Sequence, residues 1–475
     1  MHYLELIVFF LYFSILLTIT FLSYHRQKSD SDFVIGNRSL SFWLTALSAH
    51  ASDMSSWLFL AYPALIFTKG LFYCWAAIGL TFFMYLNWQY IAPKIRTFTG
   101  KCHNLTLNAY FESRFNDKTK IIRTISSLMT LLFYVFYISA GLVSLGYLIE
   151  TLFGLNYYFG ITIGLVIVAF YVFLGGYTTV AWIDLFQGFF LLFVILLIPI
   201  ILLYKVDGFP VVLKALKSQG LTTSLFPDFS SKTIIQILLL ACGWGLGYFG
   251  QPHIITKFMG IKHVSEMSKA KYLGISWQVL ALVGATLFGL LGVVFFPEGL
   301  ANEELITLHI VQTYLPAFFA GLVLCAILAA TTNVIAAQIL VVASSLAEDF
   351  YKRLFHEEAS HKKILFVSRL GVVGTAIIAF FIAFFQPSTI YQLVLYSWSG
   401  LGASFGPLLL ISLHYKKVTK IAAIFGILIG GLTAAIWPLI FGMEIIPLIP
   451  AFILSTISIF LISFLSKKKK AIYIK

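Results

Sequence analysis

Two carboxylates sit where carboxylates are costly. Asp53 lies mid-way along an apolar stretch at about 43–68, beside Ser52, Ser55 and Ser56 and ahead of Pro63. Asp184 lies inside a second stretch, at about 179–203, one helical turn from Gln187 and Gly188 on the same face. If these stretches cross a bilayer, each acid costs roughly 2.5–3.5 kcal/mol to insert, and such a group by default serves a cation or proton path. Asp53 also suits a cap for amides freed at a helix break, and the two roles are compatible. Asp184 stands near the end of its stretch, where an ion path and a structural hydrogen bond fit equally. A third feature is Gly243-Trp-Gly-Leu-Gly-Tyr-Phe-Gly-Gln-Pro252, too rich in glycine for an unbroken helix and closed by a residue with no backbone donor.

The elements that carry these residues follow from composition. The 475 residues are 60% hydrophobic and 11% charged, with a mean hydropathy of +0.94. That is too much apolar surface for one or two soluble cores to hide, so the chain reads as a polytopic membrane protein. The net charge of +13 would suggest nucleic acid in a soluble protein, but its placement argues otherwise. Basic residues fill alternate gaps: Arg26, Lys28 and Arg38; Lys94 to Arg123; Lys257 to Lys271; Lys352 to Arg369; Lys416 to Lys420; and the tail from Lys467 to Lys475. The other gaps hold few lysines beside Glu298, Glu303, Glu304 and Glu444. Positive charge resists translocation, which makes the basic gaps cytoplasmic. The four scattered cysteines define no disulfide framework; Cys102 reads as a loop thiol and the others as small apolar residues.

Runs of spanning length lie near 4–24, 43–68, 72–93, 122–149, 157–175, 179–203, 233–256, 273–296, 310–346, 364–385, 390–413, 419–441 and 445–465. The first lacks a basic leader region and a cleavage site, so it reads as a retained span with its amino end outside. Thirteen crossings then leave the lysine tail inside. The run at 310–346 exceeds one span and is expected to tilt, or to continue into the cytoplasm before Glu348 and Asp349. No linker divides the chain, and the outer segment 204–232 reads as carrying a short amphipathic helix.

Spans two and seven are the interrupted ones. If spans two to six and seven to eleven form two units, the breaks open corresponding helices, and five spans per unit make the units face opposite ways. Paired interruptions in inverted halves mark the midplane site of a transporter, because broken helices survive in lipid only where they line a cavity. Other motifs carry less. Gly245-x-Gly247-x-x-Gly250 matches a dinucleotide fingerprint in letters only, having no strand before it. His356 and His361 are five apart where a zinc helix wants four. Gly160-x-x-x-Gly164 and Gly426-x-x-x-Gly430 read as close helix packing.

Several segments together resemble the sodium:solute symporter family, in particular its proline-carrying branch. They are Gly36-Asn-Arg38-Ser-Leu; Ala46-x-x-Ala49-x-Ala51-Ser-Asp53-Met-Ser-Ser-Trp57; Asn108-Ala-Tyr-Phe111; Trp182-x-Asp184; Trp244 through His253; Ala326-Ile-Leu-Ala-Ala330; and Ala347-Glu-Asp-Phe-Tyr-Lys352. The resemblance spans about residues 33–413 and implies an all-α integral membrane protein of about thirteen transmembrane helices. Two inverted five-helix repeats would give it a leucine-transporter-like fold working by alternating access. The expected layout is one transport domain, 1–475: first helix and cytoplasmic loop 1–40, repeat one 41–204, extracellular loop 205–232, repeat two 233–413, and last helices with the basic tail 414–475.

The resemblance further implies Na⁺ held by the backbone carbonyls of Ala51, Met54 and Ala330, with Asp53 needed for sodium use. Substrate would lie against Ser55, Trp57, Tyr137, Trp244, Tyr248 and Pro252, with Ser56 beside it where the family pattern has glycine. Arg38 would stand at the cytoplasmic mouth. In span nine the pattern has adjacent Ser-Thr hydroxyls, and here Asn333-Val334. Asn333 still offers an amide oxygen; Val334 offers none, and Ala336 and Ala337 supply no hydroxyls for a second ion beside Asp184.

The expected function is cation-coupled uptake of a small zwitterionic amino acid, proline or a close analogue, through a bacterial cytoplasmic membrane. Such a solute would set its carboxylate on a half-helix N-terminus and its cationic nitrogen on tryptophan or tyrosine faces. No buried Arg or Lys is expected to await a net anion. Sodium is the expected coupling ion and no other cofactor is implied. The alternatives are proton coupling through Asp53 and a non-transporting membrane sensor. No nucleophile–base set suggests an enzyme.

Overall fold

The computed structural model describes residues 3–24, 30–385, 388–442 and 445–472; Arg26, Lys28, Glu444 and Lys475 of the charge pattern lie outside the described residues. The described chain is helical throughout, with two isolated β-bridges and no strand. Among the described residues, eleven helices are long and apolar enough to cross a membrane. The shorter apolar segment Tyr157–Phe170 and the broken pair Phe42–Ala51 and Ala61–Lys69 bring the crossings to thirteen.

Span one is Tyr3–Tyr24, span two the broken pair, and span three Leu71–Lys101. Span four is Ile121–Phe153, and spans five and six share Tyr157–Lys205, separated at Gly176. Span seven comprises Ser231–Gly245, a 3₁₀ turn Leu246–Gly250 and Pro252–Gly260. Span eight is Met267–Phe295; span nine is Ala317–Ser344, prolonged by a π-helical segment Ser345–Phe355. Spans ten to thirteen are His361–Phe385, Ile390–His414, Lys420–Phe441 and Leu448–Ile472. Side-chain oxygens of Ser41, Asn156, Ser230, Thr389 and Thr419 accept first-turn amides that the helices leave unpaired. The expected amphipathic helix between spans six and seven is Phe209–Ser218.

The packing repeats with a shift of five spans. Span two lies on span six as span seven lies on span eleven, and span three lies on span seven as span eight lies on span two. Glycines make both members of the second pair close. A Cβ on Gly79 of span three would overlap the Ala241 backbone, and one on Gly289 of span eight would stand 2.5 Å from the Pro63 carbonyl. Gly164 likewise packs on Leu145 and Gly430 on the Ala403 backbone, the close contacts expected of those motifs.

The structure changes two expectations. The run at 310–346 is two elements: Ile306–Tyr314 stops at the extended Leu315, and Pro316, which lacks a donor, starts span nine afresh. The far end of span nine runs through Glu348 and Asp349 rather than stopping before them. Lys257 is the second case. Counted with a cytoplasmic gap, it lies inside the second half of span seven and is 2% exposed.

Candidate functional site

The chain unwinds where the sequence has its serines. Span two's first half ends at Ala51, Asp53 and Met54 both donate their amides to the His50 carbonyl, and Ser56–Leu58 makes a single 3₁₀ turn before Ala61. Ser55 Oγ caps that turn by accepting the Trp57 amide at 3.2 Å. Span seven breaks at Gly245, and Gln251 is extended (φ −88°, ψ 105°) before Pro252 restarts the helix.

The carbonyls freed by the second break find partners. Asn87 Nδ2 donates to Tyr248 O at 2.9 Å, Trp398 Nε1 to Trp244 O at 2.8 Å, and Gln251 Nε2 to Gly247 O at 3.3 Å. Non-helical backbone at membrane depth therefore carries little unpaired polarity here. Gly250 lets spans seven and eleven touch through their backbones: a Cβ there would come within 2.7 Å of the Gly402 carbonyl.

Between the two breaks lies a cavity of about 270 Å³, lined by Asp53, Met54, Ser55, Trp57, Leu80, Tyr137, Trp244, Tyr248, Val394 and Trp398. None of these is more than 6% exposed. Tyr248 Oη donates to Asp53 Oδ2 at 2.5 Å and itself accepts from Gln278 Nε2 at 3.2 Å. The Trp57 ring stacks on Tyr62 (centroids 4.8 Å apart) and meets Trp244 at 5.1 Å; Tyr248 stands edge-on to Trp398 at 5.1 Å. The indole Nε1 groups of Trp57 and Trp244 have no hydrogen-bond partner among the described residues. Buried donors are seldom left so, which fits a place for an acceptor that arrives from outside.

Five of the seven residues expected around substrate therefore converge: Ser55, Trp57, Tyr137, Trp244 and Tyr248. Two do not. Ser56 turns to span four, where Ser144 Oγ donates to its Oγ at 2.7 Å. Pro252 lines a separate cavity of about 460 Å³ together with His253, Lys257, Asn108 and Ser344, because the extended Gln251 directs the chain past the first space. Leu80, Val394 and Trp398 were not anticipated. The signal for Trp398 is weak but present, an aromatic in the small-residue run Ser397-Trp-Ser-Gly-Leu-Gly402.

Around the expected sodium position, span nine packs on the span-two turn. Both amide atoms of Asn333 are buried, with no hydrogen-bond partner among the described residues. The Thr331 and Thr332 hydroxyls donate to the Ile327 and Leu328 carbonyls of their own helix, each at 2.8 Å.

Asp184 differs from Asp53. Its Oδ2 accepts from Lys257 Nζ at 2.8 Å and from Ser48 Oγ at 2.5 Å, and the ammonium also lies over the Tyr177 ring at 5.0 Å. A buried cation therefore exists, against expectation, but a carboxylate already holds it. On the basic face, Arg38 donates to the Thr99 and Asn104 carbonyls at 2.8 and 2.7 Å. Burial and the neighbouring Arg96 lower its guanidinium to about 10.

A sequence model of the sodium:solute symporter family matches residues 33–430. The chain belongs to this family. It is 38% identical to the high-affinity proline transporter PutP of Bacillus subtilis over 95% of this chain and 96% of that one. It is also 38% identical to a sodium/proline symporter of Staphylococcus aureus, over 97% and 92%. Among solved structures, a Na⁺-coupled sialic acid symporter superposes with a TM-score of 0.83 at 20% identity over 98% of both chains. MhsT in complex with L-phenylalanine superposes with 0.57 at 13% identity, over 90% of this chain and 99% of that one. The fold is the leucine-transporter-like one, and the protein is a multi-pass solute symporter, not an enzyme.

Proposed function

We propose that this symporter imports proline or a closely related small amino acid across a bacterial cytoplasmic membrane, driven by Na⁺, with its amino end outside and its lysine tail inside. The observation that carries this is the buried cavity between two helix breaks, with one carboxylate and two indole donors that have no partner among the described residues on its wall. The solute carboxylate accepts from the Trp57 and Trp244 N–H groups. Its ammonium lies against aromatic faces near Asp53, an arrangement worth roughly 2 kcal/mol once water is excluded. The absence of an uncommitted buried cation beside the cavity disfavours a net anion. Na⁺ is held at the span-two turn by the carbonyls of Ala51, Met54 and Ala330 and by the Asn333 amide oxygen, one side-chain oxygen fewer than a Ser-Thr pair would give.

The relatives named above support the substrate class. In proteoliposomes, radiolabelled proline uptake should require an inward Na⁺ gradient and survive a protonophore. A second reading, proton coupling through Asp53, is favoured by one observation: both threonines beside Asn333 donate their hydroxyl hydrogens to carbonyls of their own helix. Uptake that ignores Na⁺ and collapses with the protonophore would select that reading.

A further inference from the structure

Spans three and eight separate on the lipid-facing side of the molecule, leaving an apolar groove. Its outer walls are residues that face lipid: Ile78, Phe82, Val279 and Val283 are 39–55% exposed. It does not stop at the surface. It reaches the buried Leu282, Leu290 and Cys74 and ends at Tyr62, which is 0% exposed. The few polar atoms at that end satisfy one another. Tyr62 Oη lies 2.9 Å from Thr286 Oγ1, and Thr286 donates to the Leu282 carbonyl at 2.8 Å. Nothing there asks for a polar ligand.

The groove also has a fixed roof. Phe209 and Leu225, from the connection between spans six and seven, close one end. Trp75 Nε1 donates to Leu225 O at 2.9 Å, while the amides of Leu71 and Phe72 bond Thr222 at 2.8 and 3.1 Å. An annular crease would lack both this pinned cover and the buried inner end. The opening lies between side chains that face lipid.

We propose that the groove holds one acyl chain of a membrane phospholipid as a bound lipid, distinct from the exchanging annulus. The site stands apart from the choice of solute, and its test needs no transport.

The protein is reconstituted with a phospholipid carrying a photoactivatable diazirine on its acyl chain, illuminated, and mapped by peptide. In the wild type, label in residues 71–82 and 279–290 should exceed that in the lipid-facing peptides of spans ten and twelve by about fivefold. Ile78→Trp and Val283→Trp, at positions already facing lipid, should fill the groove and erase the excess. Val373→Trp, equally exposed on span ten, should leave it intact. Label spread evenly over all lipid-facing spans, or an excess untouched by both filling substitutions, would overturn the proposal.

Discussion

The two intramembrane carboxylates share a chemistry and differ in what faces them. Asp184 bridges spans six and seven through Lys257 and reaches span two through Ser48, so its charge is answered within the protein. Asp53 is met by a single tyrosine hydroxyl, beside unwound backbone and an open space. Burial alone therefore does not mark an ion path. What separates the two is whether the compensating charge is already built in. Asp184 acts as a joint between elements, and Asp53 faces the cavity with the Tyr248 hydroxyl as its partner.

Breaking the joint should have the largest effect. Lys257→Met leaves the Asp184 carboxylate buried and unpaired, which costs about 3–5 kcal/mol. The expected outcome is a large loss of folded protein on fluorescence-detected size-exclusion, largely recovered by adding Asp184→Asn. Substituting Asp53 should do the reverse. Asp53→Asn keeps an acceptor for Tyr248, so the fold should hold its thermal midpoint while Na⁺-driven proline uptake falls about 100-fold, equivalent to roughly 2.7 kcal/mol.

A smaller change should sharpen the sodium half of the comparison. Val334→Thr restores a hydroxyl beside Asn333 and should lower the Na⁺ concentration for half-maximal uptake by about tenfold, or ~1.4 kcal/mol. An unchanged Na⁺ dependence would separate span nine from the ion.

The smallest effect belongs to an ion pair at the edge of the basic face. Burial works against the Asp117 carboxylate, yet Lys420 at 2.5 Å, Thr119 and the Ile122 amide outweigh it and lower its pKa to about 2. A lowered folded-state pKa adds stability above the unfolded value near 3.9, and that stability is lost as the pH falls through 2. In detergent, wild type should therefore melt slightly above Asp117→Asn at pH 5, with the gap closing near pH 2.

Much of this was legible in the residues. Glycine, proline and serine within apolar runs located both helix breaks, since each type weakens a helix by a local mechanism. Of the five expected substrate-site residues that line the cavity, Ser55, Trp57, Trp244 and Tyr248 lie at the breaks in sequence, and Tyr137 comes from span four. One failure is local, the break at Pro316 inside the run read as one span; the others are non-local. Lys257 read as a loop cation because nothing in one chain segment shows that Asp184 waits opposite. Pro252 and Ser56 sit beside the breaks in sequence, but backbone direction sends one toward the 460 Å³ cavity and the other onto span four. Trp398 comes from a distant span that only tertiary packing delivers.

The most direct test places a reporter inside the cavity. Met54 lines it, while its proposed role uses the backbone carbonyl, so Met54→Cys should still transport. In a chain with Cys74, Cys102, Cys242 and Cys325 replaced, alkylation of that thiol by a small membrane-permeant reagent is timed with and without proline. Proline should slow the reaction when Na⁺ is present and lose its effect in the added Asp53→Asn background. A modification rate indifferent to proline in a variant that still transports would place the solute elsewhere.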